Sequence, residues 1–303
     1  MITLAFNLLI IVVIVTWVWR ARAASRLEAW LIAAIAAAAV ALTWLQSPLS
    51  VLFGPAWPGA FALLAAAAGV RLARRSKALA GLPANGLRTR RIIVPALVLA
   101  LMLFENALVI AARSTPDDPI ALDWPLRGGT FKVMHGGNSA LINNHAGIEA
   151  QKYALDILAM NHLGFRATGL APAELGGYVI YDTPVHAPCA GEVVAARDGM
   201  SDRTRVTDPS QLAGNFAAIY CQGATVLLAH FRQGSLAVNV GDTVAEGQLI
   251  GRVGNSGNST EPHLHIHASR GRVSDPIAMV TTAVGVPMTF AGRFLVRNDV
   301  VTS

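Results

Sequence analysis

Charge is scarce in this 303-residue sequence, where Asp, Glu, Lys and Arg make up 14%. About a quarter is usual for soluble globular chains. Acidic side chains almost vanish from residues 1–112, which hold only Glu28 and Glu105 against ten Lys or Arg. The rest holds sixteen acidic and fourteen basic residues, so the net charge of +6 comes entirely from the first part. That imbalance argues against a nucleic-acid surface and for membrane topology. A cleaved signal peptide is the rival reading of the first apolar run, but no basic segment precedes that run and Arg residues follow it, which favours an anchor. No repeat of solenoid period occurs, and the only low-complexity tracts are Ala-rich. Cysteine is limited to Cys189 and Cys221.

What the first part does contain is four apolar runs, at about 2–19, 29–45, 51–70 and 92–112. Each approaches the roughly 20 residues that a helix needs to cross the hydrocarbon core. Arg20, Arg22 and Arg26 follow the first run, and Arg71, Arg74, Arg75, Lys77, Arg88, Arg90 and Arg91 separate the third from the fourth. The loop 46–50 carries no charge. The positive-inside rule then puts both basic loops in the cytoplasm and both chain ends outside. Residues 1–112 are therefore expected to be a four-helix transmembrane region in the lipid bilayer of the cytoplasmic (inner) membrane. Glu105 and Asn106 interrupt the fourth run and are expected to make a structural polar contact.

Residues 113–123 read as a polar linker. From Trp124 onward short apolar segments alternate with Gly/Pro turns. Val179–Tyr181, Gly191–Ala196, Phe216–Tyr220, Thr225–His230 and Gly247–Val253 read as strands, and Ala150–Leu163 as partly helical. The expectation is an all-β or β-dominated domain over 124–280, periplasmic or extracellular, with a C-terminal tail at 281–303. A closing strand at Arg293–Val296 is the tail's one readable feature. In an oxidising compartment a Cys189–Cys221 bridge is favoured over two buried thiols. The segments Pro184–Val194 and Val240–Ile250 form a pair typical of biotinyl/lipoyl-like hairpin folds, but neither offers the lysine tip of a swinging-arm carrier.

The most informative stretch is Glu261-Pro-His-Leu-His-Ile-His267, with three histidines two residues apart. Strand patterning puts His263, His265 and His267 on one face at roughly 7 Å intervals, with Leu264 and Ile266 turned to a core. Neutral imidazole is the commonest metal ligand, and such a cluster suggests zinc. His135, His162 and His186 stand alone and carry no such signal.

Together these residues resemble the lysostaphin/LytM-type zinc endopeptidases, which cut peptidoglycan peptides. The resemblance runs from about Trp124 to Ile277. Gly254-Asn-Ser-Gly-Asn-Ser-Thr-Glu-Pro-His-Leu-His265 is similar to the family's glycine turn and Pro-His-Leu-His. Leu228-Ala-His230 is similar to its Tyr-Ala-His strand, and Thr183–Val193 to its Thr-Pro-Val-Tyr-Ala-Pro segment. The resemblance implies a duplicated hybrid motif fold, His265 as a zinc ligand, His263 beside the bound water, and His230 as a second catalytic histidine near the developing oxyanion. The family's His-x-x-x-Asp motif is broken, because Lys152 stands where its histidine belongs, ahead of Asp156. His145 with Asp156 is the preferred completion, since Asp156 has the better strand context; His145 with Glu149 is the other. A degenerate site without zinc, in a domain that binds cell wall or activates a partner hydrolase, is the remaining reading. The expected function is a membrane-anchored zinc metalloendopeptidase. Its expected partners are peptidoglycan peptides and the bilayer, with no nucleic acid and an unidentified membrane or wall protein left open. His267 is either a support behind the zinc ligands or a solvated strand residue.

Overall fold

The computed structural model describes residues 2–76, 88–203 and 211–303. It divides into two compact units, Met1–Ala111 and Ala112–Ser303.

The first unit is helical: α1 (Ile2–Arg20), α2 (Arg26–Gln46), a single turn α3 (Leu49–Leu52), α4 (Trp57–Ser76) and α5 (Arg88–Ala111). Ser25 starts α2 by accepting the Glu28 N–H at 3.2 Å, while the Glu28 carboxylate accepts the Ala24 N–H at 2.7 Å. This reciprocal arrangement satisfies donors that the helix start leaves open. Glu28 is buried and lies 3.6 Å from Arg91, so the acidic side chain that α2 carries has a partner. Asn106 of α5 donates to Ala38 O of α2 at 3.2 Å and to Met102 O at 2.8 Å, which is the polar contact expected there. The third apolar run differs from expectation. Gly54 takes a left-handed φ of 87°, Pro55 follows, and the long helix begins only at Trp57, with Pro58 in its first turn. The helix therefore runs on into Arg71, Arg74 and Arg75. Among the described residues two helical stretches, Arg26–Gln46 and Arg90–Ala111, have the length and apolarity to cross a membrane, against the four expected. Lys77 and the rest of the second basic loop up to residue 87 lie outside the described residues.

The second unit is β-rich. Its strands are β1 (Ile120–Leu122), β2 (Thr130–His135), β3 (Leu155–Met160), β4 (Pro184–His186), β5 (Gly191–Arg197), β6 (Phe216–Cys221) and β7 (Ala224–Ala229). They continue with β8 (Thr243–Val244), β9 (Leu249–Arg252), β10 (Leu264–Arg270), β11 (Gly285–Val286), β12 (Met288–Phe290), β13 (Arg293–Phe294) and β14 (Val300–Thr302). One helix, α6 (Pro276–Thr281), joins them. The main sheet runs β14-β2-β3-β10-β7-β6-β5-β8, with β11 paired to β10. Smaller sheets are β1-β12-β13 and β4-β9.

Strand β10 lies in the middle of the main sheet, and both of its faces are covered. Leu264, Ile266 and Ala268 enter the main core with Leu228, Val226 and Ile157. The opposite face of β7, through Leu227 and Ala229, packs with Phe216, Met279 and Val280. Alternation along these strands thus sorts two apolar sets onto two cores, while His265 and His267 share a face of β10. The Pro184–Val194 and Val240–Ile250 segments do pair, as β4 with β9 and β5 with β8. Cys189 and Cys221 are joined, with Cα atoms 6.4 Å apart.

Several local expectations give way to the structure. Val179–Tyr181 is a turn closed by Tyr181 N–H to Tyr178 O and Thr183 N–H to Ile180 O. Only Ile180 of the three is buried, and Asp182 leaves the turn with φ 66°. Ala150–Leu163 is not helical beyond one 3-10 turn at Glu149–Gln151; it becomes β3, whose six residues are all buried. Residues 120–122, inside the segment read as linker, form β1, and residues 285–302, inside the segment read as tail, carry β11 to β14.

Candidate metal centre

Register assembles the site. His265 lies opposite Asp156 of β3 on one side and Ala229 of β7 on the other. His230 follows β7 directly, and His263 precedes β10. His145 comes from the loop between β2 and β3, held there by Asn143, whose amide donates to Gly137 O and Ala154 O while its oxygen accepts the His145 N–H.

The five residues singled out in the sequence converge. His145 Nε2 and His265 Nδ1 each lie 2.8 Å from a different oxygen of Asp156. His263 Nε2 lies 3.5 Å from Asp156 Oδ1. Potential ligand atoms of His145, Asp156 and His265 fall within 4.8 Å of one another, as do those of His230, His263 and His265. Glu149 is exposed and belongs to neither group. Lys152 also stays out, with its ammonium over the Tyr153 ring at 5.6 Å.

Main-chain acceptors fix the tautomers of the two flanking histidines. His230 Nδ1–H donates to Ser256 O at 2.8 Å, and His263 Nδ1–H donates to Glu261 O at 2.9 Å. Each ring therefore turns a bare Nε2 lone pair away from that bond. His230 is held with φ 64°, a left-handed conformation that costs a non-glycine residue about 1–3 kcal/mol. Backbone bonds on both sides impose it: His230 N–H reaches Ala213 O and Gly254 N–H reaches His230 O. A side chain at Gly254 would strike the backbone of Arg232, so this close approach requires glycine.

A second chain of contacts runs from Met279 O to His267 Nε2 (2.9 Å), from His267 Nδ1 to His265 Nε2 (2.9 Å), and from His265 Nδ1 to Asp156 (2.8 Å). Both ends are pure acceptors, a carbonyl and a carboxylate. Three contacts need three protons, and two neutral imidazoles carry two. Burial pushes His265 down to about 3 and His267 down to about 4, so neither takes an extra proton at neutral pH. Met279 O claims one N–H and His267 Nδ1 accepts the other. The lone pair of His265 Nδ1 is left facing a carboxylate oxygen, a repulsive pair that a metal cation converts into two ligands.

The remaining electrostatics agree. Burial pushes Asp156 up, but the charges of His145 and His263 and the hydrogen bond from His145 hold it well below the usual carboxylate range. Burial pushes His145 down, but the Asp156 charge and its hydrogen bond hold it above its ordinary value. Burial, then the charges of His263 and His265, keeps His230 well below its ordinary value and neutral. The donor set of two imidazoles and one carboxylate suits zinc. A cavity of about 120 Å³ adjoins this set, lined by His145, His230 and His265 with Ile148, Leu212 and Val280.

Two further residues belong to this region and gave no readable signal in the sequence. Gln151 lines the same cavity as His145 and donates to Val280 O at 2.7 Å. His135 lies opposite Asp156 across a bulge in β2, its ring 5.9 Å from that of His145, and accepts from Arg297 Nη2 at 2.7 Å. His186, by contrast, sits apart against Pro125 O.

With the geometry described, comparison with known proteins gives a family. Residues 178–276 match Peptidase family M23. This segment is an M23 peptidase domain. It includes His230, His263 and His265, whereas His145 and Asp156 lie ahead of the matched M23 segment. Among solved structures the chain is similar to a zinc-containing peptidase from Vibrio cholerae (18% identity, TM-score 0.31, covering 50% of this chain and 37% of that one). It is similar also to Csd3 from Helicobacter pylori (19%, TM-score 0.30, covering 57% and 36%). A third is lysostaphin from Staphylococcus simulans (23%, TM-score 0.28, covering 50% and 49%). The M23-containing chain thus spans less than two thirds of the length of each of these proteins.

Proposed function

We propose that this chain is a membrane-anchored zinc metalloendopeptidase that hydrolyses peptide bonds of cell-wall peptidoglycan outside the cytoplasmic membrane. The observation that carries the reading is the convergence of two imidazoles on one carboxylate, with His265 Nδ1 and His145 Nε2 each 2.8 Å from a different oxygen of Asp156. His145, Asp156 and His265 hold the zinc, and His145 supplies the imidazole that Lys152 cannot.

When bound, zinc lowers the pKa of a coordinated water toward neutrality and polarises the scissile carbonyl. The chain's own residues do the rest. His263 Nε2 accepts the proton of the attacking water and returns it to the leaving amine. That nitrogen lies 3.5 Å from Asp156 Oδ1, close to the proposed ligands. His230 is neutral, and with Nδ1–H committed to Ser256 O its Nε2 can only accept, so it orients the water. Ile148, Leu212 and Val280 keep bulk water off one side of the site.

Membrane anchoring is supported by the two helices of spanning length, and a wall-side M23 domain by the distribution of basic residues around the helical unit. The Cys189–Cys221 bridge agrees with an oxidising compartment. The whole helical region is proposed to be multi-pass, with both ends outside.

The test uses the full chain purified in detergent. Zinc is measured by atomic absorption, and new amino termini are measured after incubation with peptidoglycan. About one zinc per chain is expected, with zinc and cleavage both lost in His145→Ala and His265→Ala. A zinc-free parent that binds peptidoglycan without cutting it would refute the enzyme and leave a binding module.

A further inference from the structure

Two buried side chains outside the proposed ligand and catalytic set, His267 and Gln151, direct hydrogen bonds to the same short helix. Asp275 caps the start of α6 by accepting the Ile277 N–H, Pro276 fills its first position, and Met279 and Val280 bury it against Phe216, Leu227 and Ala229. The last carbonyls of any helix lack intrahelical donors. Here Thr282 N–H and Ala283 N–H both turn to Ala278 O, at 3.1 and 2.9 Å. The next two carbonyls receive side chains instead. His267 Nε2–H donates to Met279 O at 2.9 Å, and Gln151 Nε2–H donates to Val280 O at 2.7 Å.

His267 also has a second partner: its Nδ1 accepts from His265 Nε2 at 2.9 Å. We infer that the last turn of α6 positions the imidazole of His265 through His267. The inference rests on the zinc reading above. It makes His267 a positioning residue, one step behind the ligand set. The bond to Met279 O sets the His267 tautomer, and His267 in turn leaves His265 with a bare Nδ1. Gln151, bonded to the next carbonyl, helps to seat the same turn. Outer partners of this kind hold a ligand's ring and tautomer before the metal arrives.

The experiment is zinc affinity of the full chain in detergent, by competition with a chromophoric chelator, together with the absorption spectrum of the Co(II)-substituted protein. His267→Leu is expected to weaken zinc binding by about 10- to 100-fold and to alter the Co(II) bands. His267→Gln, whose amide can accept from His265 and donate to Met279 O, should stay within about threefold of the parent. A folded His267→Leu that binds zinc as tightly as the parent overturns the inference while leaving the zinc reading intact. Should His267→Leu not fold, loss of more than about tenfold in His267→Gln overturns it equally. A parent chain without zinc overturns the functional reading itself.

Discussion

Zinc affinity of this chain should fall tenfold for each pH unit below about 6.5, with one proton displaced per zinc. The proton belongs to His145. Burial holds His265 at about 3 and His267 at about 4, so both are neutral across the range of interest. Asp156 is ionised throughout, since the neighbouring imidazoles outweigh its burial. His145 alone among the three proposed ligands has its pKa raised, above the ordinary 6.5, once the Asp156 charge and its hydrogen bond overcome burial. In the metal-free chain the protonated His145–Asp156 pair therefore contributes stability below pH 6.5, and this is lost as pH rises through the raised value. Zinc must displace that proton, so the binding constant climbs with pH at unit slope and levels off above the His145 pKa. Each unit corresponds to about 1.4 kcal/mol. Chelator competition on the full chain from about pH 4.5 to about pH 8 reads the slope, and proton release in weak buffer reads the stoichiometry. A slope of two would mean that a second ligand is protonated. A flat profile would mean that His145 is no ligand, and either result refutes the reasoning.

Other perturbations separate the roles of neighbouring side chains. His263→Ala should lower peptidoglycan cleavage by about 100- to 10,000-fold while zinc content stays at the parental level. His230→Ala should do the same with a smaller loss, if it orients water rather than carrying the proton; matched assays of cleavage and zinc check both. Lys152→His should leave zinc affinity unchanged, because Lys152 lies over Tyr153 and not in the cluster; a second zinc equivalent would contradict this. Ile266→Ala, at a side chain with 0% exposure in the main core, should cost about 2–5 kcal/mol of domain stability, read from a urea midpoint.

Much of the site was legible because period-two alternation is local. The Pro-His-Leu-His stretch carries its own face assignment, and β5, β6 and β7 lie where short apolar runs and glycine turns put them. The preferred completion, His145 with Asp156, follows from residue chemistry and strand context, yet their 2.8 Å approach depends on how the loop between β2 and β3 folds back, which no spacing rule encodes. Strand β3 was misread because an Ala/Leu-rich run buried on both faces lacks alternation, and a central strand then resembles a buried helix. The third apolar run was displaced because Gly54-Pro55 outweighs continuous hydrophobicity in deciding where a helix starts. Gln151 and His135 left no signal, since their roles come from tertiary carbonyls and a strand bulge.

The disulfide has a consequence for how the protein wears out. In the β6–β7 hairpin Cys221 pairs with Ala224 at the turn, whereas Phe216 pairs with Ala229 at the open end from which His230 emerges. The bridge and the histidine end are thus separated by five strand residues, about 17 Å at 3.3–3.4 Å each. Closing a loop with a sequence separation of 32 is worth about 3–4 kcal/mol in the chain-entropy picture. A reductant should therefore shorten the life of the folded domain while leaving the histidine cluster of each surviving copy undisturbed: durability is set at one end of the hairpin and the candidate metal centre at the other.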